Sequence, residues 1–313
     1  MPFTAKVGGY SGRIHPVTVG TGENAIVLGG NNVLPFYSFD GAVDHPPKIG
    51  VEISDAAGSW DWPGLVDFYA GCTTMAQRAV RAAALENADF LCLRFERADP
   101  NGEDRSVEDC VADAVCAADA VTKPLVILGC DSMEKDGKLF AALAEALRGK
   151  NVLIMSAKSE DYKAVGAAVA LACGQKLGAQ TADDINLAKQ LNIMLKALNV
   201  DPGAIVMDIG TTAVGYGFEY AASTLDRVRL AALAQGDTDL QMPILAAVST
   251  DTWTVKESTA TEADESAWGD REERAISMEI ATAAADLTGG ADAVVLRHPA
   301  SVAAIGAFIQ SLV

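Results

Sequence analysis

The chain has 313 residues, of which 50% are hydrophobic and 21% are charged, enough apolar material for one large domain or two ordinary ones. Its formal charge of −18 and isoelectric point near 4.5 argue against nucleic acid or an anionic membrane surface as a partner. No apolar run has the length that spans a bilayer, and the first residues lack the apolar region of a secretory signal, so we expect a cytoplasmic protein.

The N-terminal segment, residues 1–46, precedes any regular alternation of elements. Residues 15–30, HPVTVGTGENAIVLGG, predict two strands joined by the Gly-Thr-Gly turn at 20–22. We expect this hairpin to plug the bottom of the domain that follows, which would occupy residues 47–313.

Eight short apolar runs, rich in β-branched residues, follow this segment. They lack polar alternation, as expected of parallel strands that are covered on both faces. The predicted strands are 48–54, 89–95, 124–130, 151–157, 176–181, 204–210, 243–249 and 293–299.

Helical stretches separate the predicted strands. Residues 106–122 begin with Ser106, a favourable N-cap, and carry acidic residues in the first turn. In residues 183–200 one apolar stripe recurs at spacings of four and three, formed by Leu187, Leu191, Leu195 and Leu198. Further helices are predicted at 218–234, 272–288 and 301–313. The alternation predicts a (β/α)8 barrel in a single domain. A doubly wound open sheet is the alternative, and the missing G-x-G-x-x-G after the first strand weakens it.

Cysteine and histidine spacing gives no sign of a metal site. None of the six cysteines forms a C-x-x-C pair, and the closest two, Cys110 and Cys116, point to different faces of a helix. We therefore expect reduced, buried thiols. The three histidines each precede a proline and lack metal-ligand spacing.

In such barrels, ligands bind to the loops at the C-terminal ends of the strands. Asp208 lies near the end of the sixth predicted barrel strand, and six of the nine residues after it, 209–217, are Gly, Thr or Ala. Asp183 or Asp184 follows the fifth strand, where an aspartate is also common as the N-cap of its own helix. All four tryptophans map to two loops at this end: Trp60, Trp62, Trp253 and Trp268. They suit a contact with a partner or a flat ligand, or else they pack the loops onto the barrel rim.

Several segments, in order from about residue 26 to the C-terminus, are long enough to be specific. They are VLGGNNVLPF with the following FDG, VEISD, DWP, ADPNGEDRSVEDCV, LGCDSMEKD, DDINLAKQLNI, MDIGTTAVGYGFEY, DRVRLAAL and VVLRHP. Together they resemble the small, delta-type subunit of the corrinoid/iron–sulfur protein of acetyl-CoA decarbonylase/synthase complexes.

The resemblance implies a methyl carrier of the reductive acetyl-CoA pathway in anaerobes. It implies a barrel paired with a larger subunit, which holds a [4Fe–4S] cluster and most of the cobamide contacts. The mouth of the barrel would cover the reactive face of the corrin. A separate methyltransferase would deliver the methyl group of methyltetrahydrofolate, or of its archaeal pterin analogue, to Co(I), and acetyl-CoA synthase would remove it. The chain itself would hold no metal and would not be catalytic alone.

A loop that covers a corrin should be small near the cobalt and should offer oxygen acceptors to the amide edges. Its glycines would allow the cap to move, or would only shape the turn into the next helix. The residues that we expect to bind the cofactor are Asp184, Asn186, Asp208, Gly210, Thr211, Thr212, Gly215 and Tyr216. The alternative hypothesis is a pterin-type methyltransferase barrel, in which Asp184, Asn186 and Asp208 would bind the pterin ring. The lack of a basic cluster to meet a glutamate tail disfavours it.

Overall fold

A computed structural model describes residues 7–313 of the chain. The antiparallel hairpin consists of β1 (Val17–Val19) and β2 (Ile26–Leu28). The eight parallel strands are β3 (Lys48–Ser54), β4 (Phe90–Arg94), β5 (Leu125–Leu128), β6 (Leu153–Ala157), β7 (Lys176–Gln180), β8 (Ile205–Asp208), β9 (Leu245–Ala246) and β10 (Ala293–Leu296). The helices are α1 (Pro63–Phe68), α2 (Met75–Ala83), α3 (Val107–Ala120), α4 (Met133–Ala146), α5 (Tyr162–Gly166), α6 (Ile185–Ala197), α7 (Phe218–Leu233), α8 (Val248–Thr252), α9 (Lys256–Thr259), α10 (Arg271–Gly289) and α11 (Pro299–Leu312). A π-helical segment, Ala167–Ala172, continues α5.

The parallel strands form a closed barrel. Their order in the sheet is β8-β7-β6-β5-β4-β3-β10-β9. The two ends of this sheet meet where Met207 pairs with Ile244 and donates its backbone N–H to the carbonyl of Pro243 over 2.7 Å. The predicted (β/α)8 barrel is confirmed, and Ser106 caps α3 as predicted by accepting from the backbone N–H of Asp109.

Alternate side chains of the strands point to the helices or to the barrel interior. The outward side chains pack against the helices in one large apolar cluster, which includes Val51, Leu93 and Ile127. The inward side chains form a second, smaller cluster: Phe90, Cys92, Val126, Leu153, Met155, Val206, Leu245, Ala293 and Val295. Gly50 makes room for this filling, because a Cβ there would lie 2.2 Å from the ring of Phe90.

The hairpin packs against the N-terminal end of the barrel. Its four inward side chains, Val17, Val19, Ile26 and Leu28, belong to the interior cluster. Asn151, just before β6, donates from Nδ2 to the carbonyls of Thr18 and Gly20, both over 2.9 Å. The hairpin therefore covers the bottom of the barrel, whereas the division of the chain at residue 46 stays a prediction.

Strand β9 is shorter than predicted, since the chain turns into α8 at Val248 instead of extending to residue 249. Pro243 lacks an N–H for the ladder, so only its carbonyl contributes, to Met207. None of the helices between residues 7 and 313 is long and apolar enough to cross a membrane.

Candidate functional site

A cavity of about 250 Å³ opens at the C-terminal ends of the strands. Its polar lining includes the carboxylates of Asp131, Asp136, Asp208 and Asp251, the cations of Arg94 and Lys158, and the side chains of Ser156, Gln180, Thr211 and Thr250. The rest of the lining comes from Leu128, Gly129, Phe140, Met155, Gly210 and Ala247. Because carboxylates outnumber cations, the cavity is better suited to hydrogen-bond donors than to an anion.

Asp208 ends β8 in the lining of the cavity and is only 6% exposed. One carboxylate oxygen accepts from the backbone N–H of Gly210 over 3.3 Å, and the hydroxyl of Ser156 lies 3.5 Å from the other. Burial, helped by the charges of Asp251 and Asp131, raises the pKa of Asp208 to about 7. Near neutral pH this side chain can therefore either accept or release a proton.

A second buried carboxylate holds the loop that follows β8. The hydroxyl of Thr211 donates to Asp286 Oδ2, on α10, over 2.6 Å. Three residues on, the backbone N–H of Val214 donates to the hydroxyl of Thr282 over 3.1 Å. Burial raises the pKa of Asp286 to about 7, and its Oδ1 has no hydrogen-bond partner among residues 7–313. The hydroxyl of Thr211 is thus engaged by α10.

An ion-pair network lies beside the cavity. Glu52 of β3 is fully buried; its Oε1 accepts from Arg297 Nη2 over 2.9 Å, and Arg94 Nη1 lies 3.8 Å away. Burial opposes ionisation of Glu52, but the two guanidinium groups hold its pKa below the usual value. The guanidinium of Arg297 lies 4.7 Å from the ring centre of Trp60. Sequence reasoning missed Glu52 and Arg94, although each is a charged residue inside an otherwise apolar strand.

The structure brings three of the eight expected cofactor residues together at the cavity: Asp208, Gly210 and Thr211. Gly210 has a φ of +86°, and a Cβ there would lie 3.1 Å from Asp183 Oδ1. Another side chain would therefore be strained by the backbone and crowded by Asp183.

The other five expected residues do not line the cavity. Asp184 is the N-cap of α6, and its side chain accepts from the backbone N–H groups of Asn186 and Leu187 over 2.7 and 3.3 Å. Asn186 is exposed on the first turn of that helix. Further along the β8–α7 loop, Thr212 is partly buried and Gly215 is exposed. Tyr216 is 46% exposed, and its hydroxyl donates to Glu257 over 2.6 Å.

Two of the four tryptophans pack loops onto the barrel rim. Trp62 and Trp253 are 8% and 2% exposed, and their rings meet edge to face at 5.0 Å between centroids. The indole N–H of Trp253 donates to the buried Glu279 over 2.8 Å. Trp268 is 37% exposed and lies under the ammonium group of Lys256. The rim-packing interpretation is therefore right for Trp62 and Trp253, and only the other two retain exposed surface.

All six cysteines are free thiols. Only Cys92 and Cys110 are buried, and Cys116 is exposed, so the expectation of six buried thiols was wrong for the other four. Position on the helix explains Cys116, which lies on the solvent face of α3 while Cys110 faces the core. Within residues 7–313, no group of three or more His, Cys, Asp or Glu side chains could hold a metal ion.

Solved structures of dihydropteroate synthases share this fold. Dihydropteroate synthase from Stenotrophomonas maltophilia superimposes with a TM-score of 0.55 at 14% identity, over 87% of this chain and 94% of that one. The Yersinia pestis dihydropteroate synthase bound to a sulfonamide drug gives 0.55 at 12% identity, over 85% and 93%. At these identities the likeness concerns the barrel alone.

Sequence relatives agree on one family. The acetyl-CoA decarbonylase/synthase complex subunit delta of Archaeoglobus fulgidus is 29% identical over 315 residues, which cover 97% of this chain and 69% of that protein. The corresponding subunit of Methanothermobacter thermautotrophicus is 31% identical, over 96% and 76%. The model of the family described as CO dehydrogenase/acetyl-CoA synthase delta subunit matches residues 16–303. The chain therefore belongs to the delta-subunit family of CO dehydrogenase/acetyl-CoA synthase.

Proposed function

We propose that this chain is the small subunit of a corrinoid/iron–sulfur methyl carrier and that its barrel mouth covers a cobamide held by a larger subunit. Membership of the delta-subunit family supports the assignment. The observation that carries it is the small, acceptor-rich mouth formed by Asp208, Gly210 and Thr211 together with Asp131 and Asp251.

The residues of the mouth fit the underside of a flat ring fringed with amides. A cavity of about 250 Å³ is below the range of roughly 300–1,000 Å³ in which proteins enclose a small-molecule ligand, so a corrinoid would rest across the mouth. Carboxylates on the rim would accept hydrogen bonds from its amide groups. Gly210, Gly215 and Gly217, all at positive φ, keep the covering loop free of bulk.

A bound cobamide would supply the cobalt that accepts and gives up the methyl group on its way from methyltetrahydrofolate, or a methyl-pterin, to acetyl-CoA synthase. This chain would orient the ring, exclude water from its face and open the 210–217 loop for each partner. The partners in this proposal are the large subunit with its [4Fe–4S] cluster, a corrinoid methyltransferase and acetyl-CoA synthase. The chain contributes no catalytic residue of its own.

The test places bulk on the covering loop. Thr212→Trp should fold normally, because Thr212 is only partly buried and lies in a loop at a strand end. In the assembled carrier it should slow cobalt methylation at least about tenfold, equivalent to about 1.4 kcal/mol of barrier. The matched control is Leu171→Trp, which adds the same side chain at a position 47% exposed in the segment after α5. Normal melting with unaltered methylation in Thr212→Trp would remove this loop from the site.

A second candidate function is a pterin-binding methyltransferase barrel. The buried Asp208 in a heterocycle-sized cavity favours it, since a carboxylate there can accept from the N–H groups of a pterin. Of the other two residues first considered for that role, Asp184 caps α6 and Asn186 is exposed on its first turn. Titration of methyltetrahydrofolate onto the isolated chain separates the two functions, because the capping role requires no affinity for it.

A further inference from the structure

A groove of about 560 Å³ adjoins the mouth cavity on the side of α6. Lys158 and Gln180 line both spaces, so the cavity and the groove meet across these two side chains. On the α6 side the groove is lined by the apolar side chains of Leu187, Leu191 and Met194, with Gln190 among them. Ser159, Glu160, Thr181 and Ala182 complete the lining, so the apolar contacts of the combined space come from α6.

The position of Leu187 is unexpected for its sequence pattern. It belongs to the apolar stripe of α6, in which Leu191 and Leu195 are buried. Leu187 is nevertheless 46% exposed, and it faces the groove instead of the core. Thr181 lines the same groove, and its hydroxyl is buried without a hydrogen-bond partner among the described residues. An exposed leucine and an unpaired hydroxyl in one groove suggest that a ligand completes both contacts.

The polar end of the space favours a particular arrangement of donors. Both oxygens of Asp208 keep acceptor capacity, because their contacts with Gly210 and Ser156 are long, at 3.3 and 3.5 Å. A carboxylate with two available oxygens pairs best with two parallel N–H groups. The ammonium group of Lys158, at the border with the groove, can donate to a carbonyl oxygen of the same ligand.

We infer that the cavity and the groove form one elongated site for a planar heterocycle with a 2-amino-4-oxopyrimidine edge and an attached aromatic arm. The edge supplies two adjacent N–H donors to Asp208 and a carbonyl to Lys158. The arm lies against Leu187 and Met194. Guanine and pterin compounds share this edge, and the apolar side chains that α6 presents to the groove favour the aryl arm of a pterin over the sugar of a guanine nucleoside. The inference rests on the cavity of the second candidate function and adds that the groove beside α6 binds the arm of the substrate. The capping role does not depend on it.

Calorimetric titration of the full chain with three probes tests the inference. Pteroic acid has the edge and an aryl arm, 6-hydroxymethylpterin has the edge alone, and guanosine has the edge with a sugar. We expect pteroic acid to bind at least about tenfold more tightly than either of the others. Asp208→Asn should weaken all three at least about tenfold, since the amide replaces an acceptor oxygen by a donor.

The groove is tested by a neutral substitution with a matched control. Leu187→Gln should abolish the tenfold advantage of pteroic acid and leave the affinity for 6-hydroxymethylpterin unchanged. Leu171→Gln alters a leucine of nearly equal exposure, 47% against 46%, outside the cavity and the groove, and should change neither affinity.

Failure of all three probes to bind at millimolar concentration would overturn the inference. Equal affinities for pteroic acid and 6-hydroxymethylpterin would overturn the role of the groove, and tightest binding of guanosine would overturn the assignment of the arm. None of these outcomes bears on the capping function, which is measured by cobalt methylation in the assembled carrier.

Discussion

Both proposed functions depend on Asp208. Because this carboxyl is buried, we expect it to make the free energy of unfolding depend on pH. Its pKa is raised to about 7 in the folded chain, from an ordinary value of 3.8. Between pH 3.8 and about 7 the folded chain therefore binds more protons than the unfolded chain. The free energy of unfolding falls as pH rises through this range. Asp208→Asn removes that loss, because an amide cannot ionise.

We therefore expect Asp208→Asn to be more stable than the wild type at pH 8, by up to about 4 kcal/mol at 1.36 kcal/mol per pH unit. At pH 4 the advantage should nearly disappear, because the wild-type carboxyl is then neutral in the folded chain. Urea unfolding at both pH values measures the difference. Asp226→Asn, on the exposed face of α7, is the control. A gain that is equal at the two pH values would show that ionisation of Asp208 is not its cause.

Single residues also mark the limit of what the sequence could predict. Asp184 and Asp208 both follow apolar strands, and nothing in the residue type separates an N-cap from a cavity ligand. The backbone decides, because Asp184 has an extended conformation directly before α6 and accepts from the first turn of that helix. Glu52 and Arg94 carried a readable signal, since a charge inside a buried strand requires a partner. Their pairing with each other and with Arg297 depends on barrel closure, which sequence spacing does not reveal.

At the scale of elements, the β8–α7 loop is held by the hydrogen bond from Thr211 to Asp286. Thr211→Val keeps the shape of the side chain but leaves a buried carboxyl without that donor. We expect a loss of about 1–3 kcal/mol in the free energy of unfolding and faster amide exchange across residues 210–217. Thr212→Val, one residue along the same loop, is the matched control. If both variants melt and exchange alike, the contact with Asp286 does not hold the loop.

Two elements show where apolar patterning misleads. The predicted strand 243–249 is uniformly apolar or small, but the strand is confined to Leu245–Ala246, with a single bridge at Ile244, before α8 begins. An apolar run indicates that its residues are buried but does not show whether the backbone is extended or helical. The change from strand to helix within this run therefore cannot be predicted from the pattern. The leucine stripe of α6 predicted the helix correctly but not the exposure of Leu187, because its neighbour there is a groove instead of another helix.

For the whole molecule, the alternation of strands and helices was sufficient to predict the barrel. The packing of the hairpin against the barrel further predicts that the two unfold together. Leu28 is 1% exposed and shares the interior cluster with side chains from the barrel strands. Leu28→Ala should therefore lower the free energy of unfolding by about 2–5 kcal/mol, as in any packed core. Thr18→Ala, on the exposed face of the hairpin, should change it by no more than about 0.5 kcal/mol.

Urea unfolding followed by tryptophan fluorescence and by far-ultraviolet circular dichroism measures both variants. The two signals should change in a single coincident transition, because the hairpin and the barrel share one core. A separate early transition, or a negligible effect of Leu28→Ala, would mean that the hairpin folds apart from the barrel.

The hairpin at the bottom of the barrel restricts the route by which a ligand can reach the cavity. Since β1 and β2 cover the N-terminal end of the barrel, the cavity beside Asp208 opens at the C-terminal end, among the strand-end loops. A ring bound across that opening would cover any molecule in the cavity. While the cover is closed, an occupant of the cavity could then enter or leave only along the groove beside α6, across Lys158 and Gln180.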